Sequence, residues 1–322
     1  MHFFRKIISL LPIAIVLCFL ISQFSLHFGN KQLAEDRLPE AKILYVLATI
    51  FSPFDANVQI RLIATNTMLL ERQDTSEDYN PKTLAKLSED QYVLGTTTQV
   101  PVLMYHYIRV NPWPSDKVGF SLSVTPYDFA SQLDWLQNHG YHTISLDELG
   151  ANLLYGTSLP SKPIVLTFDD GYRDFYTAAY PELKKRNLKA LNFVITGFVG
   201  LPQYLTWNEI TEMSKSGLIT FGAHTVNHVA MTYLSDENDL QELTKSKQDL
   251  EAHLHYPINW FAYPFGNSDS RTAFLVKQAG FLGAFTTKPG TAQTTDTLFL
   301  QPRVRIGGGM GVTGFADSLP WN

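Results

Sequence analysis

The sequence predicts an α/β protein, a barrel of parallel strands ringed by helices, from residue 100 onward. Two observations predict it. Short apolar runs alternate with amphipathic segments from Val100 to Thr286, the βα alternation of a parallel sheet. Residues capable of chemistry stand just past several of those runs: His106, Asp169 and Asp170, His224. In a parallel barrel the C-terminal ends of the strands share one rim, and that rim carries the site.

The chain begins differently. Arg5 and Lys6 precede an apolar run from Ile7 to Phe28, 22 residues in all. A membrane-spanning helix needs about 20 residues, and the end of this run offers no small-x-small cleavage site. Residues 1–30 are therefore expected to be an uncleaved anchor, with the N-terminus cytoplasmic and the rest of the chain outside. A cleaved signal peptide is the alternative, which would leave the protein secreted; either way the domain is exported. The one cysteine, Cys18, lies inside this run, so no disulfide within the chain is possible. A net charge of -5 gives no electrostatic case for nucleic acid.

Residues 31–72 read as two helices separated by Ser52-Pro53-Phe54-Asp55, a hairpin of the tetratricopeptide kind. One such unit cannot bury its apolar face alone, so it is expected to pack near the membrane, to meet a protein partner, or to act as a spacer. Residues 73–99 are polar and read as a linker.

Residues 100–322 form the main domain. Val100–Tyr105 is the first strand, ending at His106. Thr125 caps a helix with Pro126 at its first position. Thr143–Leu146 reads as a short strand, with a helix starting at Asp147. Pro163–Leu166 is a buried strand, followed by a helix near residues 181–186. Strands at Leu191–Thr196, Ile219–Phe221, Trp260–Ala262 and Phe281–Thr286 alternate with helices over Trp207–Lys215, Glu237–His255 and Arg271–Gln278.

The strand Pro163–Leu166 leads into Thr167-Phe168-Asp169-Asp170-Gly171. Adjacent carboxylates in extended chain point to opposite sides, so one can hold a metal while the other acts on a water. An isolated Asp-Asp-Gly is ordinarily a solvated turn. A second motif weighs against that reading here: Ile219-Thr220-Phe221 leads into His224-Thr225-Val226-Asn227-His228. Two histidines four apart can share one ion. Asp170, His224 and His228 together make a two-His, one-carboxylate set with coordination positions left for water.

These two motifs, with Tyr263-Pro264-Phe265-Gly266, resemble the polysaccharide deacetylases of carbohydrate esterase family 4, the NodB-homology group. The resemblance covers about residues 100–306. It implies a distorted (β/α) barrel of about seven strands and a divalent metal cation, zinc first, with cobalt, nickel or iron as alternatives. It implies removal of acetyl groups from an N-acetylated polysaccharide. By its motifs, Asp169 is the general base, Asp170, His224 and His228 hold the metal, and the backbone N–H of Phe265 helps bind the oxyanion. Two departures stand out. The segment just before Pro264, Asn259-Trp260-Phe261-Ala262-Tyr263, has no Arg, and Arg303 is expected to substitute in orienting the base. No histidine follows Gly266, whereas Leu103-Met104-Tyr105-His106 precedes the Asp-Asp-Gly motif. That early placement resembles the poly-β-1,6-N-acetylglucosamine deacetylases of bacterial biofilms.

His106 is accordingly expected to be the general acid that protonates the leaving amine. The first and last strands of a closed barrel are neighbours, so an acid can move along the chain and keep its place in space. Tyr263, Pro264, Phe265 and Trp207 are expected to line the sugar groove. No Gly-x-Ser-x-Gly elbow is present, which excludes that form of serine catalysis. The expected substrate is poly-N-acetylglucosamine, with peptidoglycan or chitooligosaccharides as alternatives. A catalytically inactive sugar-binding envelope protein is the rival class, as is an assembly protein built on the hairpin.

Overall fold

The structure is a computed structural model and describes residues 31–32, 96–113 and 115–321. The expected anchor and all but two residues of the expected hairpin lie outside the described residues. Among the described residues no helix is long and apolar enough to cross a membrane. From residue 96 onward the description falls within one compact unit, Leu94–Asn322.

Strand β1 (Thr97–Gln99) precedes β2 (Val102–Tyr105) and β3 (Tyr107–Ile108). Helix α1 (Lys117–Leu122), capped by the Asp116 side chain, leads into β4 (Ser123–Val124), which pairs with β3. Helix α2 (Pro126–Asn138) starts as expected, the Thr125 hydroxyl accepting from the Asp128 N–H. The next strand, β5, is shorter than expected, only His142–Thr143. Ser145 is not strand but the cap of α3 (Leu146–Tyr155), in a capping box with Glu148.

Strand β6 (Pro163–Phe168) is buried at every residue, as a strand covered on both faces must be. A π-helical turn, Phe175–Ala179, runs into α4 (Tyr180–Lys185). Then follow β7 (Ala190–Val194), α5 (Trp207–Ser214), β8 (Ile219–Ala223), α6 (Asp236–Leu254), β9 (Trp260–Ala262) and α7 (Ser270–Gln278). The chain ends with β10 (Gly283–Pro289), β11 (Ala292–Thr294), β12 (Gln301–Arg305) and α8 (Gly311–Asp317).

The strands run β2-β12-β10-β9-β8-β7-β6, and β6 pairs back to β2. All pairings in this ring are parallel, so it is a closed seven-stranded barrel, with β5 added at the start of β6. The first and last barrel strands are neighbours, Val304 pairing with Leu103. Strand β12 was not among the strands expected from the sequence. Nor was β1, which occupies the end of the expected linker and pairs with β11. The main apolar cluster packs outward-facing strand residues such as Leu166, Phe168 and Phe261 against helix residues such as Leu133, Leu250 and Leu275.

Candidate active site

The site sits on the C-terminal rim of the barrel, assembled by strand register. Tyr105 pairs with Phe168, and the Asp169 N–H donates to the Tyr105 carbonyl at 2.9 Å, which sets His106 level with Asp169. Val194 pairs with Ala223 and the His224 N–H donates to the Val194 carbonyl, bringing the β8 end to the same height. Gly222 makes that approach possible: a Cβ there would lie 2.6 Å from the Phe193 ring and 2.8 Å from the Trp260 carbonyl oxygen.

Asp170, His224 and His228 come together as expected, with their ligand atoms within 4.8 Å of one another. Asp170 Oδ1 lies 3.3 Å from Nε2 of each histidine. His224 Nδ1 is 2.7 Å from the Ala262 carbonyl oxygen. A carbonyl only accepts, so Nδ1 carries the proton and Nε2 turns a lone pair toward Asp170. Asp170 Oδ1 is buried and has no hydrogen-bond donor of its own. A carboxylate oxygen facing an imidazole lone pair is a donor set that a divalent cation satisfies. Burial opposes ionisation of Asp170, whereas positive charge at its Oδ1, from protonated histidines or from a cation in their place, would draw its carboxyl well below the usual carboxylate range.

Asp169 faces the other way and is gripped by Arg303. Arg303 Nη1 and Nη2 donate to its two carboxylate oxygens at 2.7 Å each, a bidentate fork. Two further donors of Arg303 are used: Nη1 reaches Thr167 Oγ1 at 3.1 Å and Nε the Thr286 carbonyl at 3.0 Å. The guanidinium is fully buried, 5.6 Å from the centre of the Phe193 ring. Burial pushes the Asp169 carboxyl up, but the Arg303 charge and hydrogen bonds prevail and hold it below the ordinary value. Arg303 thus lies directly beside Asp169.

His106 joins the same group. Its Nδ1 is buried without a hydrogen-bond partner. Burial lowers its pKa from the ordinary histidine value, while Asp169 and Asp170 pull it upward. Phe265, 66% exposed, places its ring 4.5 Å from that of His228.

Three of the expected groove residues are placed otherwise. Tyr263 is wholly buried, its hydroxyl donating to the Phe299 carbonyl at 3.0 Å, and Pro264 is buried beside it. Trp207 packs against the core and stacks on His253 of α6 at 3.8 Å. Tyr263 and Pro264 offer no free face to a sugar, and one face of the Trp207 ring is covered by His253.

Two supports escaped the sequence reading. Thr167, within the first motif, donates its hydroxyl to the Leu103 carbonyl at 2.6 Å while accepting from Arg303. Glu242 of α6 clamps the loop between the two histidines. Its carboxylate accepts from the backbone N–H of Val226 and Asn227 and from Asn227 Nδ2, at 2.8, 3.0 and 2.7 Å. Thr167 was visible in its motif; Glu242, one acid in a polar helix, carried no local signal.

Comparison with known proteins agrees with this geometry. A profile described as "Polysaccharide deacetylase" matches residues 156–284. The Bacillus subtilis (strain 168) protein YxkH, named as a candidate polysaccharide deacetylase, is 31% identical over 217 residues, covering 67% of this chain and 75% of its own. A poly-β-1,6-N-acetyl-D-glucosamine N-deacetylase of Staphylococcus aureus (strain MSSA476) is 27% identical over 227 residues, 63% of this chain and 77% of that one. The solved structure of the Streptococcus pyogenes deacetylase PplD in complex with acetate superposes with a TM-score of 0.65 at 32% identity, covering 70% of this chain and all 100% of that one. With a shared barrel and identity at this level over most of its relatives' length, the chain belongs to the polysaccharide deacetylase family, hydrolases of carbohydrate acetyl groups.

Proposed function

We propose that the protein removes N-acetyl groups from an extracellular or cell-wall polysaccharide, poly-N-acetylglucosamine in particular. The observation that carries this reading is the division of labour between Asp169 and Asp170: one carboxylate held by Arg303, the other aimed at two imidazoles. The choice of polymer is supported by the Staphylococcus aureus relative and by the early position of His106.

Asp170, His224 and His228 would hold the metal, zinc by the preference of such N/O sets. When bound, the metal polarises the acetyl carbonyl and makes water a nucleophile near neutral pH. Asp169, kept ionised and pointed by Arg303, takes the water's proton. Four of the five N–H donors of Arg303 are engaged and its side chain is fully buried, so it orients the base. The Phe265 N–H donates to the oxygen that gains charge, a contribution of about 3 kcal/mol in other enzymes. His106 delivers the proton that lets the amine leave. Our proposal further places the N-terminal run in the membrane as a single-pass anchor, with the domain on the extracytoplasmic side and residues 31–72 available to a protein partner.

The test is release of acetate and free amine from poly-N-acetylglucosamine, peptidoglycan, chitin oligomers and acetylxylan by zinc-loaded protein, before and after exhaustive chelation. Activity on the first, lost on chelation and restored by metal, is expected. No release from any polymer by loaded protein would sink the reading.

A further inference from the structure

We propose that the cleft walled by Tyr107, Arg109, Trp113 and Asp174 is a second sugar-binding site, which holds the polymer unit next to the one being deacetylated. This inference rests on the reading of the chain as a polysaccharide N-deacetylase.

The cleft measures ≈ 510 Å³, within the size range of ligand sites, and Arg173 and Gln203 complete its polar lining. It adjoins the rim just described. Tyr107 follows His106 directly, and Arg173 and Asp174 lie three and four residues past Asp170. The rings of Tyr107 and Tyr172 stack at 3.7 Å, which ties the chain after His106 to the turn after Asp170. A ligand unit in the cleft is therefore beside the reacting centre and outside it.

The walls specify the ligand. Both faces of Tyr107 are taken, one by Tyr172 and the other by the Arg109 guanidinium 3.3 Å from the ring centre. Trp113 is 69% exposed and keeps a broad apolar face free at the cleft. Asp174 Oδ1 is buried with no hydrogen-bond partner, an acceptor awaiting a donor. Arg173 is held by Glu209 at 2.9 Å, and the Asp116 carboxylate is engaged at the start of α1. An open indole face beside an unsatisfied carboxylate oxygen matches a pyranose unit, which offers an apolar C–H face and donor groups at its edge. With Arg109 and Arg173 balancing Asp116 and Asp174 in the lining, the cleft carries no net charge and suits a neutral sugar.

The test separates the two readings. Calorimetric titration of the full chain with β-1,6-linked glucosamine oligomers, the reaction product, measures the cleft without turnover. Trp113→Ala and Asp174→Asn are each expected to weaken binding about three- to ten-fold, the scale of one aromatic or polar contact. In parallel, the ratio of kcat/KM on an N-acetylglucosamine pentamer to that on 4-nitrophenyl acetate should fall by a similar factor, chiefly through KM. Oligomer affinity equal to wild type in both variants, or no oligomer binding by the wild type, overturns the cleft. Oligomer binding that depends on Trp113 and Asp174, with no acetate released from any substrate, supports the cleft and overturns the enzymatic reading instead.

Discussion

Replacing Arg303 with methionine tests the arrangement around Asp169 most directly. Arg303 is wholly buried and Asp169 is 2% exposed, so solvent cannot rescue the carboxylate once its partner is gone. The variant forfeits two charge-assisted hydrogen bonds to Asp169 and one each to Thr167 and Thr286. Breaking a buried pair from one side costs about 3–5 kcal/mol, most of it the stranded charge. For a domain of this size that is a fall in Tm of about 6–20 °C. Asp169→Asn/Arg303→Met removes both charges and should lose less than the two single losses together, by about 2 kcal/mol or more. The assay is a double-mutant cycle by urea unfolding, followed by tryptophan fluorescence. Should Arg303→Met fail to accumulate, Arg303→Lys keeps the charge, loses the fork, and should show the same sign at smaller size. A single-variant loss under about 1 kcal/mol, or strict additivity, would refute the claim that Arg303 holds an ionised buried base.

Asp169→Asn should abolish deacetylation yet retain bound metal, whereas Asp170→Asn should lose both; metal analysis beside turnover checks the pair. His106→Ala should fold, bind metal and lose roughly 10² to 10⁴ in kcat, and near-normal turnover would remove it as the acid. Glu242→Ala frees the Val226 and Asn227 N–H groups, so metal affinity should drop about 10- to 100-fold, as with other supports of metal ligands; competition with a chelating dye reads this. Burial pushes the Asp174 carboxyl up to about 6, so its ionised form is disfavoured in the fold and stability is lost as pH rises from about 4 to about 6. Asp174→Asn should therefore exceed wild type by about 1–3 kcal/mol at about pH 7.5 and by little below about pH 4, and unfolding curves that differ equally at both would reject the shift.

The barrel was legible because its strands are apolar on both faces and their ends carry the chemistry. Pro163–Phe168 could be little else. Strand β12 was not legible, since Gln301-Pro302-Arg303-Val304-Arg305 breaks the pattern with a proline and two arginines. Arg303 can be buried there only because Asp169, 134 residues earlier, neutralises it. Strand β1 reads as linker because three of its flanking and member residues are threonine, and its partner β11 lies near the other end of the domain. Tyr263 was expected in the sugar groove because it opens the Tyr263-Pro264-Phe265-Gly266 motif. Its actual partner, the Phe299 carbonyl, stands 36 residues away and leaves no mark nearby. Trp207 misled for the same reason, its ring being taken by His253. The pairs Asp169-Asp170 and His224–His228 stand out in the sequence because each is local; their supports do not, because theirs are distant.

Backbone conformation explains why that local spacing suffices. Asp170, Thr225, His228 and Phe265 all have positive φ, at 75°, 64°, 54° and 60°. Each such non-glycine residue costs about 1–3 kcal/mol and persists only where its surroundings over-determine it. Here the surroundings are visible. Gly171, itself at φ 72°, turns the chain directly after Asp170. Glu242 pins the loop from Thr225 to His228, and the Ala262 carbonyl fixes the His224 ring. Two of the three prospective metal ligands thus sit in strained turns just past their strands, not on the strands themselves. The strands set the height of the rim, and the turns aim the side chains across it. The same strain makes the site dependent on Glu242 and on the His224–Ala262 bond, neither of which touches the acetyl group.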